Sequence, residues 1–333
     1  MSGALLTPGP ATPVPSAPSP RWLPYAQLLR LPNVFTAMAD IALAALVTGS
    51  LPDQLISFLL LVLASSCIYC AGMVWNDYFD YEVDLKERPF RPLPSNRIDR
   101  PTAARLGWGL VAAGMVLAAL AGVRGDGYHF GSPLIALLLT GAIFLYDGWL
   151  KHTIVGPVSM GLCRFLNVLL GLTVAVDGVP AWGFVLALVV GGYIVGVTWF
   201  ARLEARVSRR LELVAAALVM GTALALSLFL PVLGWQLNRS DVATGPMTFV
   251  FGELGHVLFP YLLVAYGFYV GLPVAAAIRN PSPGQVQAAV KRAVLGLTVL
   301  DAVLATSLAG TPGLLILLLL PVSLRLGKRI YST

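Results

Sequence analysis

Three aspartates and an asparagine fall within nine residues in the segment Asn76-Asp77-Tyr78-Phe79-Asp80-Tyr81-Glu82-Val83-Asp84. No glycine or proline interrupts it, so the spacing predicts that a helix entering from residues 54–75 continues through it. Each helical residue turns the chain by about 100°, which brings Asn76, Asp77, Asp80 and Asp84 onto one face. Carboxylates held that close repel one another and demand a cation. An oxygen-only set suits Mg²⁺, which prefers carboxylates, waters and substrate phosphates. Asn76, Asp77, Asp80 and Asp84 are therefore candidate metal ligands, and the three aspartates are candidate catalytic residues.

A basic stretch stiffened by prolines follows at once: Lys86-Glu87-Arg88-Pro89-Phe90-Arg91-Pro92-Leu93-Pro94-Ser95-Asn96-Arg97. Arginine forks beside carboxylate-held Mg²⁺ are what a diphosphate requires, because the metal bridges some of its oxygens and guanidinium groups bind the rest. Arg88 and Arg91 are the candidates for that task. Taken alone, the arginines would serve equally well as charges of a solvated loop.

The elements that position these groups are apolar. Of the 333 residues 57% are hydrophobic and only 11% charged, against roughly 25% charged in an average soluble protein. That excludes a soluble enzyme, a disordered chain and a disulfide scaffold. Apolar segments cover about 33–51, 54–75, 102–123, 132–150, 154–175, 181–201, 211–233, 255–279 and 286–309, with a short run at 313–324 that contains Pro321. This is an all-α, polytopic membrane protein of about nine to ten transmembrane helices. Residues 1–20 hold six prolines and are expected to form a flexible tail, not a signal peptide, ahead of one helical domain over 21–333.

With the N-terminus in the cytoplasm, 19 of the 22 Lys and Arg residues lie on one side, Arg124, Arg239 and Arg164 being the exceptions. The positive-inside rule thus places the N-terminus and the acidic and basic loops in the cytoplasm. It also accounts for the net charge of +6 without nucleic acid. The basic C-terminal tail favours the same side, which requires ten crossings or a last run that dips in and returns. Cys67 and Cys70 have redox-motif spacing but lie in an apolar run, where small-residue packing explains them.

Ionisable groups inside apolar segments are costly and are functional candidates. Arg164 and Asn167 share a helix face, with Lys151 near the start of the same hairpin. All three are expected at the diphosphate, Asn167 as donor or metal ligand; the alternative for Arg164 is a buried pair with Asp147 or Asp301. Asp40 and Asp301 read as buried interhelical partners. Tyr146 would contact phosphate or stabilise a cation, or else belong to an interfacial belt.

The sequence resembles the UbiA superfamily of intramembrane prenyltransferases. The resemblance rests on Asn76-Asp77-x-x-Asp80-x-x-x-Asp84, followed by Arg88-Pro-x-Arg91-Pro-Leu-Pro-Ser95-x-Arg97. It extends to Leu31-Pro32-Asn33, to Tyr146-Asp147 with Lys151, and to Gly161-x-x-Arg164-x-x-Asn167. It implies a helical bundle around a central cavity open to lipid, with an isoprenyl diphosphate held under a cytoplasmic cap. The family's second acidic motif is reduced here to Thr198-Trp199-Phe200-Ala201-Arg202-Leu203-Glu204-Ala205-Arg206. Glu204 is left as the one further candidate metal ligand, and Arg202 is positioned to take diphosphate charge. The Ala-Arg-x-Glu-Ala string and the Leu-Pro-Asn-x-Phe-Thr-Ala opening look more like the EboC-like branch.

Together these readings give an expected function in isoprenoid biosynthesis: Mg²⁺-dependent transfer of an isoprenyl group from a prenyl diphosphate to a lipophilic aromatic or alcohol acceptor in the lipid bilayer. Two alternatives belong to other classes. A non-catalytic relative that binds or helps export an isoprenoid or pathway intermediate is favoured by the reduced second motif. A secondary transporter would show an inverted repeat and helices broken at the midplane, and the sequence has no such repeat.

Overall fold

The computed structural model describes residues 20–125, 127–176, 178–202, 210–237 and 246–331. The proline-rich tail, apart from Pro20, and Glu204 lie outside the described residues. Two helices open the chain, α1 (Leu23–Leu28) and α2 (Leu31–Val47), separated by Arg30 in the left-handed conformation with φ of 47°. Then come α3 (Leu55–Phe79), α4 (Tyr81–Glu87), α5 (Arg100–Ala121), α6 (Gly131–Gly148), α7 (Gly156–Leu172) and α8 (Ala181–Arg202). The second half holds α9 (Arg210–Leu226), α10 (Leu230–Leu237), α11 (Pro246–Arg279), α12 (Pro283–Leu295), α13 (Leu297–Ala309) and α14 (Leu319–Tyr331). A two-residue antiparallel pair, β1 (Val123–Arg124) and β2 (Gly127–Tyr128), joins α5 to α6.

Among the described residues six helical stretches are long and apolar enough to cross a membrane, seven if the pair α12 and α13, bent by 43°, forms one span. α2 and α7 are shorter apolar helices of 17 residues each. Several helices start where the sequence prepares them to. Pro24, Pro32, Pro101 and Pro157 sit in first turns, where the missing N–H costs nothing. Asp99 caps α5 by accepting from the Thr102 N–H at 3.3 Å, and hydrogen bonding to Thr102 holds its carboxyl below the usual value.

The last run behaves differently from the earlier spans. Residues Thr311–Leu318 form a 3₁₀ helix, which rises about 2 Å per residue, before α14 continues. Gly313 is packed so close to Ala305 and Thr306 of α13 that a Cβ would fall 2.7 Å from their atoms. At its far end α14 returns to the start of the chain. Ser323 donates to the Pro32 carbonyl at 2.6 Å, Gln27 donates to the Ile330 carbonyl at 3.1 Å, and Ile330 packs on Leu23 and Ala26. Both described ends therefore meet at one end of the bundle.

α7 and α8 pack backbone to backbone. A Cβ on Gly161 would lie 2.6 Å from the Gly191 carbonyl oxygen, and one on Gly191 would lie 2.8 Å from that of Gly161. Small residues allow such an approach between membrane helices. Gly161→Ala is expected to cost about 1–3 kcal/mol, seen as a lower melting temperature in detergent. Gly141→Ala, with nothing within 4 Å of its Cβ position, is the control expected to melt as the wild type does.

Candidate functional site

The C-terminal turns of α3 carry the acidic segment, and an aromatic cluster fixes them. Trp75 meets Tyr78 and Phe79 on its own helix, Trp108 of α5 at 5.1 Å and Phe144 of α6 at 5.3 Å between ring centroids. α3 ends at Phe79 and α4 begins at Tyr81, so the expected continuous helix is articulated at Asp80, whose backbone lies at φ −82° and ψ 2°. The helical ladder still runs through the joint, with Asp80 N donating to Asn76 O at 3.0 Å and Asp84 N to Asp80 O at 2.8 Å. Arg100 braces the joint from outside, its guanidinium 4.6 Å from the Tyr78 ring centre and 4.7 Å from that of Tyr81.

Each aspartate is met by a cation. Asp77, 4% exposed, accepts from Arg30 at 2.9 Å and from Arg91 at 3.2 Å. Asp84, fully buried, accepts from Arg91 at 2.6 Å, with Arg88 at 3.6 Å. Asp80 lies 2.5 Å from Lys151 Nζ. Asn76 receives Arg30 at 3.3 Å and donates to Asp147 of α6 at 2.9 Å. Arg91 thus joins two carboxylates seven residues apart, which explains why the proline loop folds back over the acidic turn. Arg97 locks that loop by donating to the Phe90 carbonyl and, at 2.9 Å, to Gln27 of α1. Leu93 and Ile98 bury themselves against Leu28 and Val74.

The structure thus gathers Asn76, Asp77, Asp80, Asp84, Arg88, Arg91 and Lys151, as the sequence leads one to expect. It adds two residues. Arg30, which sequence reading counted only as a topology charge, is a direct partner of Asp77; Asp147 faces Asn76. Lys151 is held in a short 3₁₀ turn, Leu150–His152, and Arg202 reaches across from α8 to donate to the carbonyls of Lys151 and Thr153. Arg202 is therefore committed to backbone carbonyls of this turn and is not turned towards a diphosphate. Gly156 leaves the space that its guanidinium occupies.

Arg164 and Asn167 are placed elsewhere. Arg164 donates to Asp40 at 2.9 Å and to Thr36 at 2.6 Å, both on α2. Asn167 donates to the same Asp40 oxygen at 2.7 Å and accepts from Ser65 of α3 at 2.6 Å. Ser65 precedes Asn76 by eleven residues, or roughly 16 Å of helix, and Arg164 lies eight residues, or roughly 12 Å, from the start of α7. Neither side chain pairs with Asp77, Asp80 or Asp84; both were expected at the diphosphate, and both are held on Asp40. The Asp147 or Asp301 pairing considered for Arg164 gives way to Asp40, with Asp301 of α13 adjoining both.

A cavity of about 440 Å³ connects the two groups. Arg30, Asn76, Tyr146 and Asp147 border one end, and Ser65, Tyr69, Arg164 and Asn167 the other; between them the wall includes Leu139, Ile143, Met160, Val197 and Val294. The donor set fits Mg²⁺ in chemistry, being oxygen throughout, and Asp84 Oδ1 is buried without a hydrogen-bond donor among the described residues. Among those residues no three metal-binding side chains converge on one point; Arg91 stands between Asp77 and Asp84, and Asp80 faces Lys151.

A helical bundle with an acidic turn, a folded-back arginine loop and an apolar cavity beneath them defines a charged intramembrane site at one end of an apolar scaffold. Residues 33–291 match the UbiA prenyltransferase family, and the chain belongs to that family, an integral, multi-pass membrane group. It is 31% identical over 154 residues to the digeranylgeranylglyceryl phosphate synthase of Methanothermobacter thermautotrophicus, covering 44% of this chain and 50% of that one. The chain thus spans about half the length of the curated relatives it matches. Among solved structures it resembles a UbiA homologue from Aeropyrum pernix K1 in the apo state, with TM-score 0.57 and 14% identity over 85% of this chain and 97% of that one. A homologue from Archaeoglobus fulgidus bound to DMAPP and Mg²⁺ aligns with TM-score 0.52 and 16% identity, over 88% and 98%. These structural likenesses establish the fold.

Proposed function

We propose that this protein transfers an isoprenyl group from a prenyl diphosphate to a lipophilic acceptor, with the acidic turn facing the cytoplasm. The observation that carries this reading is the set of paired charges at the cavity mouth. Asp77, Asp80 and Asp84 stand opposite Arg30, Arg91 and Lys151, so a metal-bound diphosphate can enter by exchanging partners without creating a bare buried charge. Asp77, Asp80 and Asp84, with Asn76, would hold Mg²⁺, which would neutralise charge on the leaving diphosphate. Glu204 remains a candidate ligand by sequence alone.

Lys151, Arg91 and Arg88 are then free to donate to the diphosphate oxygens as the C–O bond breaks. Donors already fixed in place stabilise developing charge at no reorganisation cost. Arg202 contributes by holding the Lys151 turn. The apolar wall keeps water from the allylic carbon, and Tyr146, beside Asp147 at the cavity mouth, offers an aromatic face to positive charge. The acceptor, an alcohol or an activated aromatic ring, bonds to that carbon and loses its proton.

The test is incubation of purified protein with radiolabelled C10 to C20 prenyl diphosphates, Mg²⁺ and a panel of alcohol and phenol acceptors. Organic-extractable product that disappears with EDTA is expected. Tight binding of the diphosphates with no product from any acceptor would instead favour a non-catalytic carrier, the reading suggested by the reduced second motif.

A further inference from the structure

The cavity's inner end makes poor sense for a hydrocarbon chain. An isoprenyl tail gains nothing from a guanidinium, an amide and a hydroxyl, yet Arg164, Asn167 and Ser65 all face this space. Two helices independently set the depth of this end. From Asn76 back to Tyr69 on α3 is roughly 10 Å of helical rise, and from Arg30 to Asp40 on α2 roughly 15 Å. The group is built and held, since Arg164 and Asn167 are both anchored on Asp40, and Asp40 is fully buried.

Its charge can be counted. Among the described residues Arg164 is the one cation in the cluster, and Asp40 and Asp301, both fully buried, adjoin it. Neither Asp301 oxygen nor Asp40 Oδ1 has a hydrogen-bond donor among the described residues. Asp40 and Asp301 lie within hydrogen-bond reach of each other; with a proton shared between them, they present one negative charge to Arg164, 2.9 Å from Asp40, and the cluster has no surplus positive charge. An incoming carboxylate or phosphate would leave water without an uncompensated cation to meet it, which is strongly unfavourable in an apolar cavity. A neutral hydroxyl or carbonyl needs only a donor. Arg164 uses two of its five N–H groups on Asp40 and Thr36, leaving others to donate.

We infer that the Arg164–Asn167–Ser65 end of the cavity is the recognition site for a neutral oxygen-bearing group of the acceptor, and that it selects uncharged acceptors over carboxylates and phosphates. This rests on the prenyl-transfer reading for the word acceptor, but the binding site is defined without turnover. The ligand class is a molecule with its nucleophile near Asn76 and Asp147 and a hydroxyl or carbonyl reaching Arg164 across the apolar wall.

The experiment uses a matched pair long enough to span both ends: 4′-(hydroxymethyl)biphenyl-4-ol and 4′-hydroxybiphenyl-4-carboxylate. Each is titrated calorimetrically into the full-length protein in detergent, without prenyl diphosphate. The alcohol is expected to bind at least about tenfold more tightly. In Met160→Lys, which adds a cation on the wall one helical turn from Arg164, the preference should shrink to about threefold or reverse, with melting curves confirming that the variant is folded. Equal or tighter binding of the carboxylate by the wild type would overturn the inference, as would binding of neither probe. Failure of prenyl transfer in the turnover assay would not change these affinities, so the two readings fail separately.

Discussion

Asp77→Ala is expected to lower prenyl transfer by about 10²–10³-fold, the range typical for removing one fixed charge-stabilising group from an active site. Asp77 is the hub of the cavity mouth: Arg30 from the α1–α2 junction and Arg91 from the proline loop both end on its Oδ1. The substitution removes a metal oxygen and frees two guanidiniums together. Arg91 retains its 2.6 Å contact with Asp84, so the loop stays folded and the melting temperature should move by only a few degrees. Asp77→Asn separates the causes. It keeps the shape but not the charge, and should be nearly as inactive as alanine. Retention of more than about one-tenth of wild-type turnover by either variant would remove Asp77 from the site.

The largest effect on stability is expected at Arg164. Arg164→Leu leaves Asp40, fully buried, without its ionic partner in the apolar interior, which costs about 3–5 kcal/mol. Thr36 also loses its contact with the guanidinium. Urea unfolding in mixed micelles, or the melting temperature, would show the loss. The double variant Arg164→Leu with Asp40→Asn should recover part of it, because the stranded charge is then gone; non-additivity of this kind is the signature of direct coupling. Arg164→Leu as stable as the wild type would mean that the α2–α7 pair does not hold the bundle.

Local features of the site were legible in the sequence, and its long-range pairings were not. The Asp-rich turn and the proline loop were readable because their meaning lies in spacing: residues four apart on a helix share a face, and prolines force the chain to turn. The joint at Asp80 was invisible because no glycine or proline marks it; Arg91, held by both Asp77 and Asp84, links the two sides of it. Arg30 was hidden in plain view. A basic residue ahead of an apolar helix already has an explanation as a topology signal, and its pairing 47 residues away leaves no local trace.

Arg164 was misplaced for a related reason. Its sequence neighbourhood, a hairpin that begins with Lys151, placed it at the diphosphate. Helical rise carries it some two turns deeper, to an aspartate 124 residues earlier in the chain. Arg202 shows the same limit, because a side chain that caps carbonyls of another loop cannot be told from a phosphate ligand by composition. The short final run at 313–324 became intelligible only with its 3₁₀ geometry, which stretches few residues over a long path beside α13.

The constellation of Asp77, Asp80, Asp84, Arg91 and Lys151 is tested most directly by equilibrium binding of a prenyl thiolodiphosphate, which resists ionisation and so reports the landing of the diphosphate alone. With Mg²⁺ the wild type should bind it at least about tenfold more tightly than with EDTA, and Asp80→Asn and Lys151→Met should each weaken it by a similar factor, or about 1.4 kcal/mol. Affinity that ignores Mg²⁺ and survives both substitutions would place the diphosphate elsewhere and contradict the assignment of this site.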